Sequence, residues 1–332
     1  MIQIFQTAGK RLVEQSNEFS GGINIRNKWI HLENPTDREI ELIERVTGVS
    51  EDMLKAALDV EERARIESDE GDMLVLFDIP TIEDEDSYYS YSTMPLGVVI
   101  TDNCVITVCL KENSIISNLI NNRIKNLDTA KRENFLYQML YNTHVKFLQY
   151  LRQIDRSWQR IQMELHRSTK NKELIQLLDL ENSLVYFSAS LRANSLIIER
   201  LMRSNSVKSE EDAELLEDVG IENRQAVDMC NIYRDILSGT MDAYASIISN
   251  NVNSIMKLLT VITLIISIPT LFASLWGMNT GVPFEGQKYG FYVVTGISLI
   301  IAGVAGYYLL RTKKEKNVEE IRKSIRRRNK KN

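Results

Sequence analysis

The chain has 332 residues, room for one large or two ordinary domains, and its 44% hydrophobic and 26% charged content is ordinary for a mostly soluble chain. The net charge of −5 hides a split: Arg311–Asn332 holds 11 Lys/Arg against 3 Glu, a tail of +8, so the other 310 residues carry −13. An acidic body of that kind repels nucleic acid and attracts cations, and the basic tail has no aromatic residues interleaved with its charges, so no nucleic-acid partner is expected.

Three cysteines (Cys104, Cys109, Cys230) have neither a paired framework nor metal-ligand spacing, and read as structural thiols of a reducing compartment. Met1–Lys10 lacks the basic start and the long apolar run of a signal peptide. Residues 1–128 mix strands and short helices into a compact α/β domain. Met1–Gln6 and Trp29–Leu32 read as strands. Thr36 and Glu39 have the capping-box spacing, with Pro35 just ahead, and open a helix. A second short helix fits Ser50–Leu58. Met73–Ile79, Leu96–Thr101 and Cys104–Leu110 read as buried strands, the last two joined by a turn at Asp102-Asn103. Cys104 and Cys109, five apart on one strand, point to opposite faces. Glu83–Asp86 is a solvated acidic loop.

From Lys131 the pattern becomes helical. Leu136, Leu140, Thr143, Phe147, Leu151, Ile154, Trp158, Ile161 and Leu165 step at three or four, Ser168–Lys172 interrupts, and Leu174–Met202 resumes. Residues 129–209 therefore read as a helical hairpin. After a turn at Ser204–Ser209, Glu210–Trp276 contains a single proline, Pro269, and its 67 residues make a helix about 100 Å long. Pro269 predicts a modest kink.

One face of that helix carries the most specific pattern in the chain. Asp242, Ser246, Ser249, Asn253, Met256, Thr260, Thr263, Ser267, Thr270 and Ser274 repeat every seven residues, and all but Met256 are polar. The second half of the stripe lies in the uncharged segment Leu258–Trp276, long enough to cross a bilayer. Lipid cannot satisfy such a face, so it meets water or other protein. The plain alternative is helix packing, since Ser and Thr hydroxyls can bond back to a carbonyl one turn earlier. Continuity of the stripe beyond the membrane, through Asn253 and Ser249 to Asp242, favours the wall of a pore built from several copies. The loop 277–290 is short, 291–310 is a second uncharged span with Gly296, Gly303 and Gly306 for close packing, and 311–332 is the basic tail. The positive-inside rule puts that tail in the cytoplasm and anchors it at anionic lipid. Two spans (about 257–276 and 291–310) return the N-terminal domain to the same side, and the loop between them faces out.

Gly277-Met278-Asn279 closes the first of two C-terminal spans after a long helix, and with the short loop and basic tail this resembles the CorA family of divalent-cation channels. Trp276 stands where that family usually has Tyr. The resemblance covers essentially the whole chain. It implies an α+β cytoplasmic domain followed by long stalk helices and two C-terminal transmembrane helices, mostly helical, in a funnel-shaped homopentameric channel of the cytoplasmic membrane. Gly277, Met278 and Asn279 become the selectivity site. Asn253, Thr263, Ser267 and Thr270 become polar rings, Met256 and Leu259 the apolar gate, and Asp242 an acidic ring at the cytoplasmic end. Family members sense cytoplasmic Mg²⁺ with carboxylates shared between subunits. The matching acid on the stalk is Asp218, beside Glu217. The matching position on the N-terminal domain is Gly71, flanked by Asp69, Glu70 and Asp72. The plain alternatives are an ordinary leucine at Leu259 and a solvated turn around Gly71.

A hard cation such as Mg²⁺ takes oxygen ligands and sheds water reluctantly, so neutral amide and carbonyl oxygens can hold the hydrated ion without trapping it. The pore stretch has no His or Cys, which disfavours a dedicated site for softer metals. The chain has no nucleotide-binding loop and no nucleophile constellation, so an enzyme or ATP-driven pump is disfavoured and no organic cofactor is expected. The reading is passive influx of Mg²⁺, with Co²⁺ and Ni²⁺ as further ions, gated by cytoplasmic Mg²⁺. Its rivals are a Zn²⁺/Co²⁺/Ni²⁺ transporter of the same superfamily and a non-conducting coiled-coil scaffold in the membrane.

Overall fold

The computed structural model of the chain describes residues 1–9, 11–15, 24–69, 71–82, 90–124, 127–167, 171–204, 209–278, 281, 283 and 286–328, with backbone alone at 166, 167, 171 and 310–328. The chain divides into two compact units, Met1–Met241 and Asp242–Asn332.

The first unit is built on a seven-stranded sheet. Its strands are β1 (Ile2–Ala8), β2 (Arg11–Gln15), β3 (Lys28–Glu33), β4 (Arg65–Asp69), β5 (Asp72–Ile82), β6 (Tyr91–Ile100) and β7 (Cys104–Cys109). The spatial order is β2-β1-β3-β7-β6-β5-β4, antiparallel throughout except for the parallel β3–β7 pair. Alternate residues of the central strands enter two separate cores. Leu74, Leu76, Val99 and Ile106 face one side, with Ile40, Ile43 and Leu54 of helices α1 (Asp37–Thr47) and α2 (Glu51–Lys55). Val75, Phe77, Val98 and Val105 face the other. There they meet α3 (Ser114–Ile120), α4 (Arg132–Arg167), α5 (Asn171–Arg203) and the start of α6 (Glu210–Trp276). Burial on both faces is why these strands read as unbroken apolar runs.

Several sequence expectations are met in detail. At the start of α1 the Glu39 N–H donates to Thr36 Oγ1 at 3.4 Å, and the Thr36 N–H donates to Glu39 Oε2 at 2.9 Å. Thr101 N–H donates to Cys104 O at 3.1 Å and closes the β6–β7 turn. Cys104 lies in one core and Cys109 in the other. Along α4 every residue of the predicted stripe is buried except Trp158, which is half-buried. Edge strands β2 and β4 and helix α3 were not anticipated. The edges read as Arg-Leu-Val-Glu-Gln and Arg-Ile-Glu-Ser-Asp, short and charged, because an edge exposed to water is protected by charge rather than by apolar alternation. The acidic loop 83–86 and part of the 168–172 interruption lie outside the described residues.

In the second unit, α6 continues to Trp276 with Pro269 inside it, and α7 runs Gly290–Arg328. The predicted tail therefore extends the second apolar helix without a break as far as Arg328. A Cβ on Gly306 would stand 3.0 Å from Ile265 Cδ1, which places the α6–α7 contact there, whereas Gly296 and Gly303 meet nothing within 4 Å. Val261, Ser298 and Ala302 are buried in this unit.

Candidate functional site

The stripe on α6 is uncovered. Asp242, Ser246, Ser249, Asn253, Met256, Thr260, Thr263, Ser267, Thr270 and Ser274 are all exposed. A different face, through Val261, Ile265, Ile268 and Phe272, is the one that is buried, half-buried or set against Gly306 of α7. The second span covers only that narrow line; Leu258, Ile262, Ile266 and Leu271 are exposed, an apolar surface that lipid can satisfy, whereas the polar stripe needs water or another protein.

Three threonines show how that face is presented. Thr260 Oγ1 donates to Met256 O at 2.8 Å, Thr263 Oγ1 to Leu259 O at 2.9 Å, and Thr270 Oγ1 to Ile266 O at 2.8 Å. Each hydroxyl spends its one hydrogen on the helix, so the atom it turns outward is an oxygen with lone pairs. A row of outward lone pairs favours cations over anions. The back-bonding that made packing a plain alternative therefore also orients these side chains as acceptors.

The gate candidates Met256 and Leu259 are 56% and 54% exposed, so among the described residues none closes over them. Past Trp276, the Gly277 N–H donates to Ala273 O at 2.9 Å and continues the helical pattern. A Cβ at Gly277 would stand 3.2 Å from that same carbonyl, a tight approach that requires the turn to give by a few tenths of an ångström. Met278 is exposed, and Asn279 lies outside the described residues. One contact here was not foreseen. The Trp276 indole N–H donates to Pro283 O at 3.1 Å and ties the loop back to the end of the helix. The indole donor was the available signal; its acceptor, a loop carbonyl seven residues on, had none.

The regulatory candidates are spread over two elements. Glu217 and Asp218 are exposed on α6. Asp69 and Asp72 are paired residues at the closed end of the β4–β5 hairpin, Asp69 exposed and Asp72 half-buried. Glu70 lies outside the described residues. Gly71 has φ +102°, a turn conformation that a side chain disfavours, which explains why no acid stands at that position. Among the described residues no three His, Cys, Asp or Glu side chains gather closely enough within one chain to hold a metal.

Fold and site together define a class: a membrane protein with two apolar C-terminal helices, the first continuous with a long helix of an α/β unit and bearing a face that its own chain leaves bare. Residues 26–314 match the family described as CorA-like Mg²⁺ transporter protein, and the chain belongs to that family. It is 28% identical over 299 residues to the cobalt/magnesium transport protein CorA of Methanocaldococcus jannaschii, covering 86% of this chain and 90% of that one. With the protein of the same name from Thermotoga maritima the identity is 24% over 272 residues, 80% of this chain and 77% of that one. Among solved structures, the complete CorA magnesium transporter from M. jannaschii superposes with a TM-score of 0.77 at 24% identity, covering 93% of this chain and 96% of the other, and so shares its fold.

Proposed function

We propose that this chain forms a homopentameric channel of the cytoplasmic membrane. Mg²⁺, with Co²⁺ and Ni²⁺ as further ions, enters passively down its gradient, and cytoplasmic Mg²⁺ closes the path. The observation that carries this reading is the uncovered stripe from Asp242 to Ser274, whose back-bonded threonines turn oxygen lone pairs outward. The names of the two CorA relatives, cobalt/magnesium transport proteins, support the choice of ions. A stripe on one helix becomes a closed wall only when copies surround an axis.

In this arrangement residues 1–128 and 129–209 are cytoplasmic, and 210–276 is the stalk that becomes the first span. Residues 277–290 face out, 291–310 is the second span, and the basic tail 311–332 is cytoplasmic. Gly277, Met278 and Asn279 select at the outer mouth. Asn253, Thr263, Ser267 and Thr270 are successive oxygen rings. Met256 and Leu259 form a narrow apolar ring that closes by dewetting, and Asp242 gathers cations at the cytoplasmic end. Such rings hold a hydrated Mg²⁺ weakly enough to release it. Regulation falls to Asp218 and Glu217 of one subunit facing Asp69, Glu70 and Asp72 of the next, where Mg²⁺ offsets their mutual repulsion.

Mg²⁺ uptake by proteoliposomes loaded with a Mg²⁺-sensitive dye tests the reading, wild type beside Asn279→Ala. Wild-type uptake at low internal Mg²⁺, lost in the variant, is expected. Zn²⁺ uptake equal to or above that of Mg²⁺ and driven by a proton gradient would overturn the choice of ion. No uptake of any divalent cation by folded protein would leave a scaffold.

A further inference from the structure

Helices α4 and α6 run side by side in a single register. Lys131 Nζ reaches Glu211 Oε2 at 3.1 Å, and Asn134 Nδ2 donates to Asp212 Oδ1 at 2.8 Å. Farther along, His144 faces Asn223, and Tyr233 lies in the field of Asp155 and Arg152. The sequence separation at the first two rungs is 80 and 78, and the later rungs keep it, which is the mark of parallel helices held at one axial position.

The middle rung is buried. On α6 the residues Leu216, Val219, Asn223, Ala226 and Cys230 step at three and four, all are buried, and Asn223 alone among them carries an amide. His144, opposite, has no exposed surface. Its Nδ1 lies 2.7 Å from Leu140 O. A carbonyl only accepts, so Nδ1 holds the proton and Nε2 presents a lone pair. Asn223 Nδ2 donates to Ser195 Oγ of α5 at 2.6 Å, and Ser195 Oγ donates to Leu191 O at 2.9 Å. His144 Nε2 and Asn223 Oδ1 are both buried without a hydrogen-bond partner, although the two side chains are close enough to interact. A half-turn of the amide resolves the mismatch: Nδ2 then donates to His144 Nε2, and the Ser195 hydroxyl turns its one hydrogen from Leu191 O to Asn223 Oδ1.

We propose that His144, Asn223 and Ser195 form a polar register lock that holds α6 at one axial position against α4 and α5. An apolar seam tolerates a slide of one helical turn, because one apolar side chain replaces another. A buried amide does not, because its partners stay behind, which is how a single buried asparagine sets register between packed helices. After such a slide, Val219 or Val227 would face His144 in place of Asn223, and the imidazole and the amide would both be left buried without partners. These three are positioning residues; none touches the ion. The functional consequence rests on the channel reading, since α6 is also the helix that bears the stripe.

Two experiments separate the lock from that reading. First, carbodiimide coupling of the native Lys131–Glu211 pair, whose Nζ and Oε2 stand 3.1 Å apart at the exposed first rung, joins the two segments by an amide in purified full-length protein and reports register without any transport. Near-complete crosslinking in the wild-type background, falling severalfold when Asn223→Leu is added, is expected; equal crosslinking overturns the lock. Second, the Mg²⁺ concentration that half-closes the channel should shift by about two- to thirtyfold in Asn223→Leu, with uptake at low internal Mg²⁺ retained. An unchanged closing concentration overturns the coupling. If the wild type carries no ion, the channel reading fails and the crosslink still judges the lock. Should Asn223→Leu not fold, ¹⁵N-histidine spectra of the wild type decide. A neutral His144 with its proton on Nδ1 and Nε2 accepting a hydrogen bond is expected, and a proton on Nε2 refutes the lock.

Discussion

Acid should destabilise this protein through two buried histidines. His31 on β3 is 1% exposed, and His144 has no exposed surface. Burial pushes both imidazoles down from the ordinary value near 6.5 to about 4. Between those values the unfolded chain binds protons that the folded chain refuses. Stability is therefore complete above pH 6.5 and is lost as the pH falls toward 4. Going from pH 8 to pH 5 should cost about 2 kcal/mol per histidine, and about 4 kcal/mol together, a large part of an ordinary domain's stability. The assay is urea unfolding of the detergent-solubilised chain at both pH values, followed by near-UV circular dichroism. Trp29 is a natural reporter, because its indole donates to the same Thr107 Oγ1 that His31 Nδ1 contacts, at 2.8 Å and 2.9 Å. His31→Gln isolates one share: comparing each protein with itself across pH cancels any change in baseline stability. The variant should lose about 2 kcal/mol less than wild type between pH 8 and 5. Equal losses in the two proteins would refute the reasoning, because His31 would then be free to protonate in the folded state.

Three further outcomes follow from the second unit and its stalk. Gly277→Ala sets a Cβ 3.2 Å from Ala273 O, and the shift of the last turn needed to relieve it should cut uptake while the protein still assembles; unchanged uptake would show that the last turn yields freely. Leu259→Asn places an amide in the proposed apolar ring and should hold the path open, measured as dye-reported flux at high internal Mg²⁺, where the wild type is closed. Asp218→Ala removes an exposed carboxylate from the proposed sensor and should weaken Mg²⁺ inhibition by about fivefold or more; inhibition at wild-type concentrations would place the sensor elsewhere.

The sequence by itself determined the helical half of the molecule and the nature of its exposed stripe. A seven-residue repeat of polar side chains survives translation into structure because helix geometry alone converts spacing into a face. The same local logic located the capping box at Thr36 and Glu39, the β6–β7 turn and the opposite-facing cysteines, since each depends on residues near one another in the chain. Tertiary structure decided the rest. The parallel pairing of β3 with β7 joins residues 76 apart, as between His31 and Thr107, and no local signal specifies it. The charged edge strands β2 and β4 exist because neighbours supply their hydrogen bonds, against their own polar composition. Gly71 shows the two levels meeting: family spacing led to that position, and the turn conformation explains the missing acid there. The His144–Asn223–Ser195 chain was invisible beforehand, because its members lie on three helices and only packing brings them together. What lies close along the chain is set by covalent geometry, whereas partners distant in sequence are chosen by the whole core at once.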